Sequence, residues 1–163
     1  MQRDDGAVSP VIGTVLLLAI TVLLSSMVFV MMASSFDNVE KAEPRASISV
    51  RALSNGYHVI AVTSLDQSLD PARVEWSVVN QTGQRVVEHT GSLSDSDVYG
   101  TVGANVSFHD RDAGWSMTKG DYFVVNCEIL NCNTGDHYFE LNVRSDSGSN
   151  TLLAKIRLPV AES

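Results

Sequence analysis

The segment Val8–Phe36, VSPVIGTVLLLAITVLLSSMVFVMMASSF, decides how the rest of the chain is organised. No charged residue stands between Asp5 and Asp37, and the run exceeds the ~20 residues that a helix needs to cross the hydrocarbon core of a bilayer. Its large apolar residues, among them Val11, Ile12, Val15, Leu16, Ile20 and Leu24, fall at every angle around a helix and leave no face for water. Each such side chain kept from water is worth roughly 1.5–3 kcal/mol, so exposing the whole segment would cost on the order of tens of kcal/mol. The segment is expected in lipid or against other apolar helices.

The boundaries follow from local chemistry. Ser9 is a favoured N-cap and Pro10 suits the first helical position, so the helix is expected to begin at Pro10. Asp37 to Glu43 contains good helix formers that extend it as a short stalk, and Pro44 ends it. Upstream lies MQRDDGA, whose Arg3 is outnumbered by Asp4 and Asp5. That is unlike the basic start of a secretory signal peptide, and the apolar run is too long for a signal core. Removal at the small residues Ala33-Ser34-Ser35 is the other reading; the leader favours retention.

A short charged leader ending in Gly6-Ala7, then Val8-Ser9-Pro10-Val11-Ile12-Gly13 and a long uncharged helix, resembles the archaeal type IV pilins, particularly the acidic ones of halophilic archaea. The resemblance implies a class III signal peptide, cut by a prepilin peptidase before the apolar segment, after Ala7 or after Gly6. Val8 is then the first mature residue, or Ala7. The chain departs from the family in placing Asp4 and Asp5, not a basic residue, directly before the small pair. It also lacks the glutamate that bacterial type IV pilins carry near the helix start. As partners the resemblance implies the membrane, the pilus assembly ATPase and its membrane platform, and further copies of the chain in a helical filament serving adhesion. The motif covers about the first quarter of the sequence.

Composition bounds the remainder. The chain has 163 residues, enough beyond the helix for one domain with its own core. The expected division is a leader at 1–7, a transmembrane or filament-core helix and stalk at 8–44, and an extracellular domain at 45–163. Formal net charge is −8, and only Lys41, Lys119 and Lys155 are lysines. Such a balance repels nucleic acid and anionic membranes and suits a halophile, although an ordinary acidic extracellular domain would look the same.

Beyond Pro44 the hydrophobic period changes to two. Ala46–Leu53 and Tyr57–Leu65 alternate, and Ser54-Asn55-Gly56 between them supplies a hairpin turn. Further strands are expected at Arg73–Val79, Arg85–Thr90, Val98–Phe108, Asp121–Leu130, His137–Arg144 and Thr151–Val160, punctuated by Thr82-Gly83, Gly91-Ser92, Asp110 to Gly114 and Ser145 to Asn150. The fold class is α+β: one long N-terminal helix, then an antiparallel β-sandwich of immunoglobulin-like size, without the Cys–Trp–Cys pattern. A small barrel is the alternative.

Candidate sites are few. Outside the cell Cys127 and Cys132 would most simply form a local disulfide; two free buried thiols are the alternative. Cys132 and His137 have a spacing reminiscent of blue-copper sites, but no methionine follows and the upstream His89 and His109 show no supporting spacing. Asp110-Arg111-Asp112-Ala113-Gly114 hints at a calcium loop, yet its sixth and twelfth positions hold Trp115 and Asp121, so solvated turn carboxylates are expected there, and equally at Asp95-Ser96-Asp97. No nucleophile motif or phosphate-binding glycine loop is present, and the histidines are scattered; no catalytic residue, metal or cofactor is assigned. Asn80-Gln81-Thr82 and Asn105-Val106-Ser107 are N-glycosylation sequons, the first at a strand end, the second inside an expected strand where it must face outward.

Two functions compete. One is a structural subunit, a single-pass precursor in the cell membrane and then part of an extracellular filament. The other is a membrane-anchored binding or sensor domain that never polymerises. A simple anchor has no need of Gly6-Ala7 or the Val8–Gly13 motif, and it usually carries basic residues on its cytoplasmic flank. The filament reading also gives a purpose to Gly13, Ala19, Ser25, Ser26 and Ala33, which permit close helix approach, and to Met27, Met31 and Met32, which adapt to unequal neighbours.

Overall fold

A computed structural model describes residues 8–37 and 43–161, in two compact units, Met1–Ala42 and Glu43–Ser163. Gly6 and Ala7, and residues 38–42 of the stalk expected at Asp37 to Glu43, lie outside the described residues, while Glu43, expected to be its last helical residue, is not helical. In the first unit α1 runs Val8–Asp37. It starts two residues before the expected Pro10, so Ser9 lies within the first turn and does not precede it. Proline is tolerated at either place, because the first N–H groups of a helix have no intrahelical partner.

The second unit contains eight strands: β1 (Ala46–Ala52), β2 (Tyr57–Leu65), β3 (Val74–Asn80), β4 (Arg85–Ser92), β5 (Val106–His109), β6 (Tyr122–Asn126), β7 (His137–Arg144) and β8 (Asn150–Arg157). They form two antiparallel sheets, ordered β1-β2-β6-β5 and β4-β3-β7-β8. This is the β-sandwich that the alternating pattern implies. β1 also lies against β8, bringing an edge strand of each sheet together.

The β1–β2 hairpin closes at Ser54-Asn55-Gly56, where Leu53 N–H donates to Tyr57 O at 2.7 Å and Gly56 has φ +78°. A residue with a Cβ would be strained at that φ, and its Cβ would stand 2.4 Å from Glu128 Cγ.

Between the sheets, Ile60 and Val62 of β2 and Phe123 and Val125 of β6 pack with Val74, Trp76 and Val78 of β3 and Phe139, Leu141 and Val143 of β7. Three fully buried phenylalanines run through this core. Phe108 and Phe123 have centroids 5.0 Å apart, and Phe123 meets Phe139 of the other sheet at 5.2 Å, both tilted. The line continues outward from Phe108 to Tyr99 at 5.3 Å and on to Trp115, stacked on Tyr99 at 4.2 Å. The C-terminal segment is tied down from within, since buried His58 donates from Nε2 to Pro159 O at 2.6 Å.

Several expected strands are shorter or shifted. Of the expected Val98–Phe108 only the last three residues are in a strand, β5, which runs one residue further to His109. Upstream, Val98 and Tyr99 N–H both bond Asp95 O in a tight turn, and Gly100 and Gly103 take positive φ. Strand β6 ends at Asn126, not Leu130, because Asn126 Oδ1 accepts from Glu128 and Ile129 N–H and starts a turn. Gly91-Ser92, expected to follow a strand ending at Thr90, forms the last two residues of β4. Strand β8 stops at Arg157, two residues before Pro159, which has no N–H to give a ladder.

Candidate functional site

The stretch Pro10–Ser35 of α1 is 26 residues long and none of it is buried. At 1.5 Å per residue it extends about 39 Å, more than the ~30 Å of a bilayer's hydrocarbon core. Leu17 and Leu23 are 68% exposed and Phe29 is 73% exposed, so the apolar surface is continuous around the helix. The polar side chains within it are handled locally. Thr14, Thr21, Ser25, Ser26, Ser34 and Ser35 each donate their hydroxyl to a carbonyl three or four residues earlier, at 2.7–2.9 Å. A hydroxyl bonded in this way needs no water, which is what an apolar surrounding demands. A Cβ added at Gly13 would meet nothing within 4 Å, so the small residue leaves an open notch on the helix.

The head places the other expected residues as follows. Cys127 and Cys132 are both buried and joined as a disulfide. The bond closes a tight turn in which Cys132 N–H donates to Cys127 O at 3.1 Å and Asn131 takes φ +52°. With its sulfur so engaged Cys132 is not a copper ligand, and His137 Nδ1 meets Thr134 Oγ1 at 3.0 Å. Among the described residues no group of three or more His, Cys, Asp or Glu is placed to hold a metal ion.

The Asp110–Gly114 loop is structural in a way its spacing did not reveal. Asp110 accepts from Asp112 N–H and from the Tyr99 hydroxyl, the latter at 2.5 Å. Asp121, expected as the opening residue of a strand, is fully buried, and its carboxylate accepts from Arg111 N–H, Thr118 N–H and the Thr118 hydroxyl. A short chain segment rich in turn residues around one apparently ordinary Asp was the only sequence signal for this. Burial of Tyr99, its bond to Asp110 and the negative charges of Asp110 and Asp121 push its hydroxyl up from 10.0 to about 12.

The first sequon closes the end of β3, where Asn80 Oδ1 accepts from Thr82 N–H, the Thr82 hydroxyl and Gln84 N–H. Asn105 is exposed and immediately precedes β5, so it lies in a turn and not inside a strand. Its third residue, Ser107, is buried and within 3.2 Å of His109 Nε2.

Between Pro10 and Ser35 the helix is uncharged, has no buried face, and has every Ser and Thr hydroxyl bonded to its own backbone, a combination suited to lipid or to the company of other apolar helices. Residues 6–48 match the family model described as archaeal type IV pilin, N-terminal, so this stretch is similar to the N-terminal segment of that family. No curated protein matches the chain significantly.

Proposed function

We propose that this protein is a pilin, the structural subunit of a type IV pilus-like surface filament. It is made as a single-pass membrane precursor, cut by a prepilin peptidase at Gly6-Ala7, and moved by the assembly ATPase and membrane platform into a filament whose core is built from copies of α1. The sandwich serves adhesion, with Asn80 and Asn105 as glycan acceptors, and the chain performs no catalysis. The observation that carries this reading is the coincidence of the pilin-type segment at 6–48 with an uncharged helix that has no buried face. A plain receptor anchor would account for the helix alone.

N-terminal sequencing of the subunit from sheared filaments tests it. The expected first residue is Val8, with Ala7 as the alternative register. An intact Met1, or a start beyond Phe36, would overturn the processing step and with it the filament reading.

A further inference from the structure

The face of the β4-β3-β7-β8 sheet turned away from the core carries a hollow of about 350 Å³. Irregular pairing of β3 with β4 accounts for it. On β3, Ser77 and Val79 are separated by Val78 alone, whereas their partners on β4, Thr90 and Arg85, are separated by residues 86–89. The surplus backbone cannot lie flat in the ladder, and Arg85 and Thr90 flank the gap and line the hollow. Cross-strand partners share a face. Glu75 pairs with Asn142 and Ser92, and Ser77 pairs with Thr90, so these side chains lie opposite the core residue Leu141, while Trp76, beside Gly91, reaches the hollow from the core.

Three of the lining residues are in an unusual state. Ser77 is 2% exposed, Asn142 4% and Trp76 6%, yet Ser77 Oγ, Asn142 Nδ2 and Trp76 Nε1 have no hydrogen-bond partner. Buried polar atoms left unpaired are costly and rare in native structures, and three beside one hollow point to a bound group that pairs with them. The surrounding charges restrict what that group is. Glu75 is bonded by Arg144 and by Asn150 Nδ2, while Glu140 faces Lys155 at 2.7 Å and Arg85 at 3.8 Å. Both carboxylates are thus already engaged by cations and neither is free to hold a metal ion; Arg85, shared at 3.8 Å with a Glu140 that Lys155 already pairs, is the one of these cations in excess. What remains is a hydroxyl that can donate and accept, an amide donor, the indole N–H of Trp76, and the spare N–H groups of Arg85, whose side chain is 45% exposed. The complement is a neutral molecule with several hydroxyls, and a volume at the small end of the ~300–1,000 Å³ usual for ligand sites limits it to about one ring.

We propose that this hollow binds a single neutral sugar unit, with Ser77 and Asn142 at its base and Arg85 at its rim. The unit is either a free monosaccharide or the terminal ring of a surface glycan. The site belongs to the head, and its occupancy does not require that the helices polymerise.

The test uses the full chain in a detergent without a sugar headgroup, which would otherwise compete. Ligand-observed NMR is run with neutral methyl hexosides, neutral oligosaccharides, a uronic acid and inorganic phosphate. A neutral hexoside is expected to bind while the two anions do not, and Ser77→Ala and Asn142→Leu are each expected to weaken binding at least tenfold with cooperative melting retained. Arg85→Gln, at the exposed rim, is the further variant should Asn142→Leu fail to fold, and it is expected to weaken the same ligand. Equal binding of the monosaccharide and of the oligosaccharide terminus assigns the site to surface glycans; binding of the monosaccharide alone assigns it to free sugar. Absence of neutral-sugar binding at millimolar concentration, equal binding of the anions, unchanged affinity in Ser77→Ala and Arg85→Gln, or a hollow that holds only ordered water in the presence of sugar each overturns the proposal.

Discussion

Tyr99 holds the outer end of the aromatic line and the loop around Asp110 with one hydroxyl. Because its neutral form is favoured in the folded state, its contribution to stability is complete below pH 10, where the unfolded side chain is also neutral. Between pH 10 and about 12 the unfolded chain ionises there and the folded chain does not, so stability falls as pH rises through that window. Tyr99→Phe is expected to melt at a lower temperature near neutrality, having lost the bond to Asp110, and to show a shallower decline of melting temperature between pH 10 and 12. An unchanged slope would mean that another group governs alkaline unfolding. Nothing in the local sequence announced this contact. Tyr99 lies in a stretch, Val98–Phe108, whose alternation suggests a strand, and the positive φ of Gly100 and Gly103 turns it into the loop that brings Tyr99 to Asp110.

Elements were legible where one physical demand acted alone. The helix could be read from the absence of charge between Asp5 and Asp37, and β1, β2 and β7 from alternation bounded by turn residues. Boundaries set by side-chain capping were not legible, as at Asn126, whose amide oxygen ends β6. The hollow was not legible either, since it arises from a register slip between β3 and β4 that no single strand encodes. For α1 the decisive question is what its small residues are for. Lipid and a bundle of helices are similarly apolar, so close packing must favour one over the other. Gly13→Leu and Ala19→Phe are expected to leave insertion and processing intact and to reduce sheared filament severalfold relative to processed subunit in the membrane. Undiminished filament in both variants would transfer the specificity of assembly from the helix to the heads.

For the head as a whole, the contact of Phe123 with Phe139 joins β6 of one sheet to β7 of the other. Phe123→Ala is expected to cost about 3–5 kcal/mol, as large-to-small changes at buried aromatics do, measured by denaturant unfolding of the full chain in detergent. A loss below about 1 kcal/mol would show that the two sheets are held mainly elsewhere. The pattern of hydroxyls on α1 has a different kind of consequence. Every serine and threonine between Pro10 and Ser35 is already bonded to its own backbone, so moving the helix from lipid into a filament core breaks no hydrogen bond and strips no water. The reverse journey is equally undemanding. On the filament function proposed above, such a subunit would be a recoverable part: a filament that shortened could return its helices to the bilayer intact, to be used again.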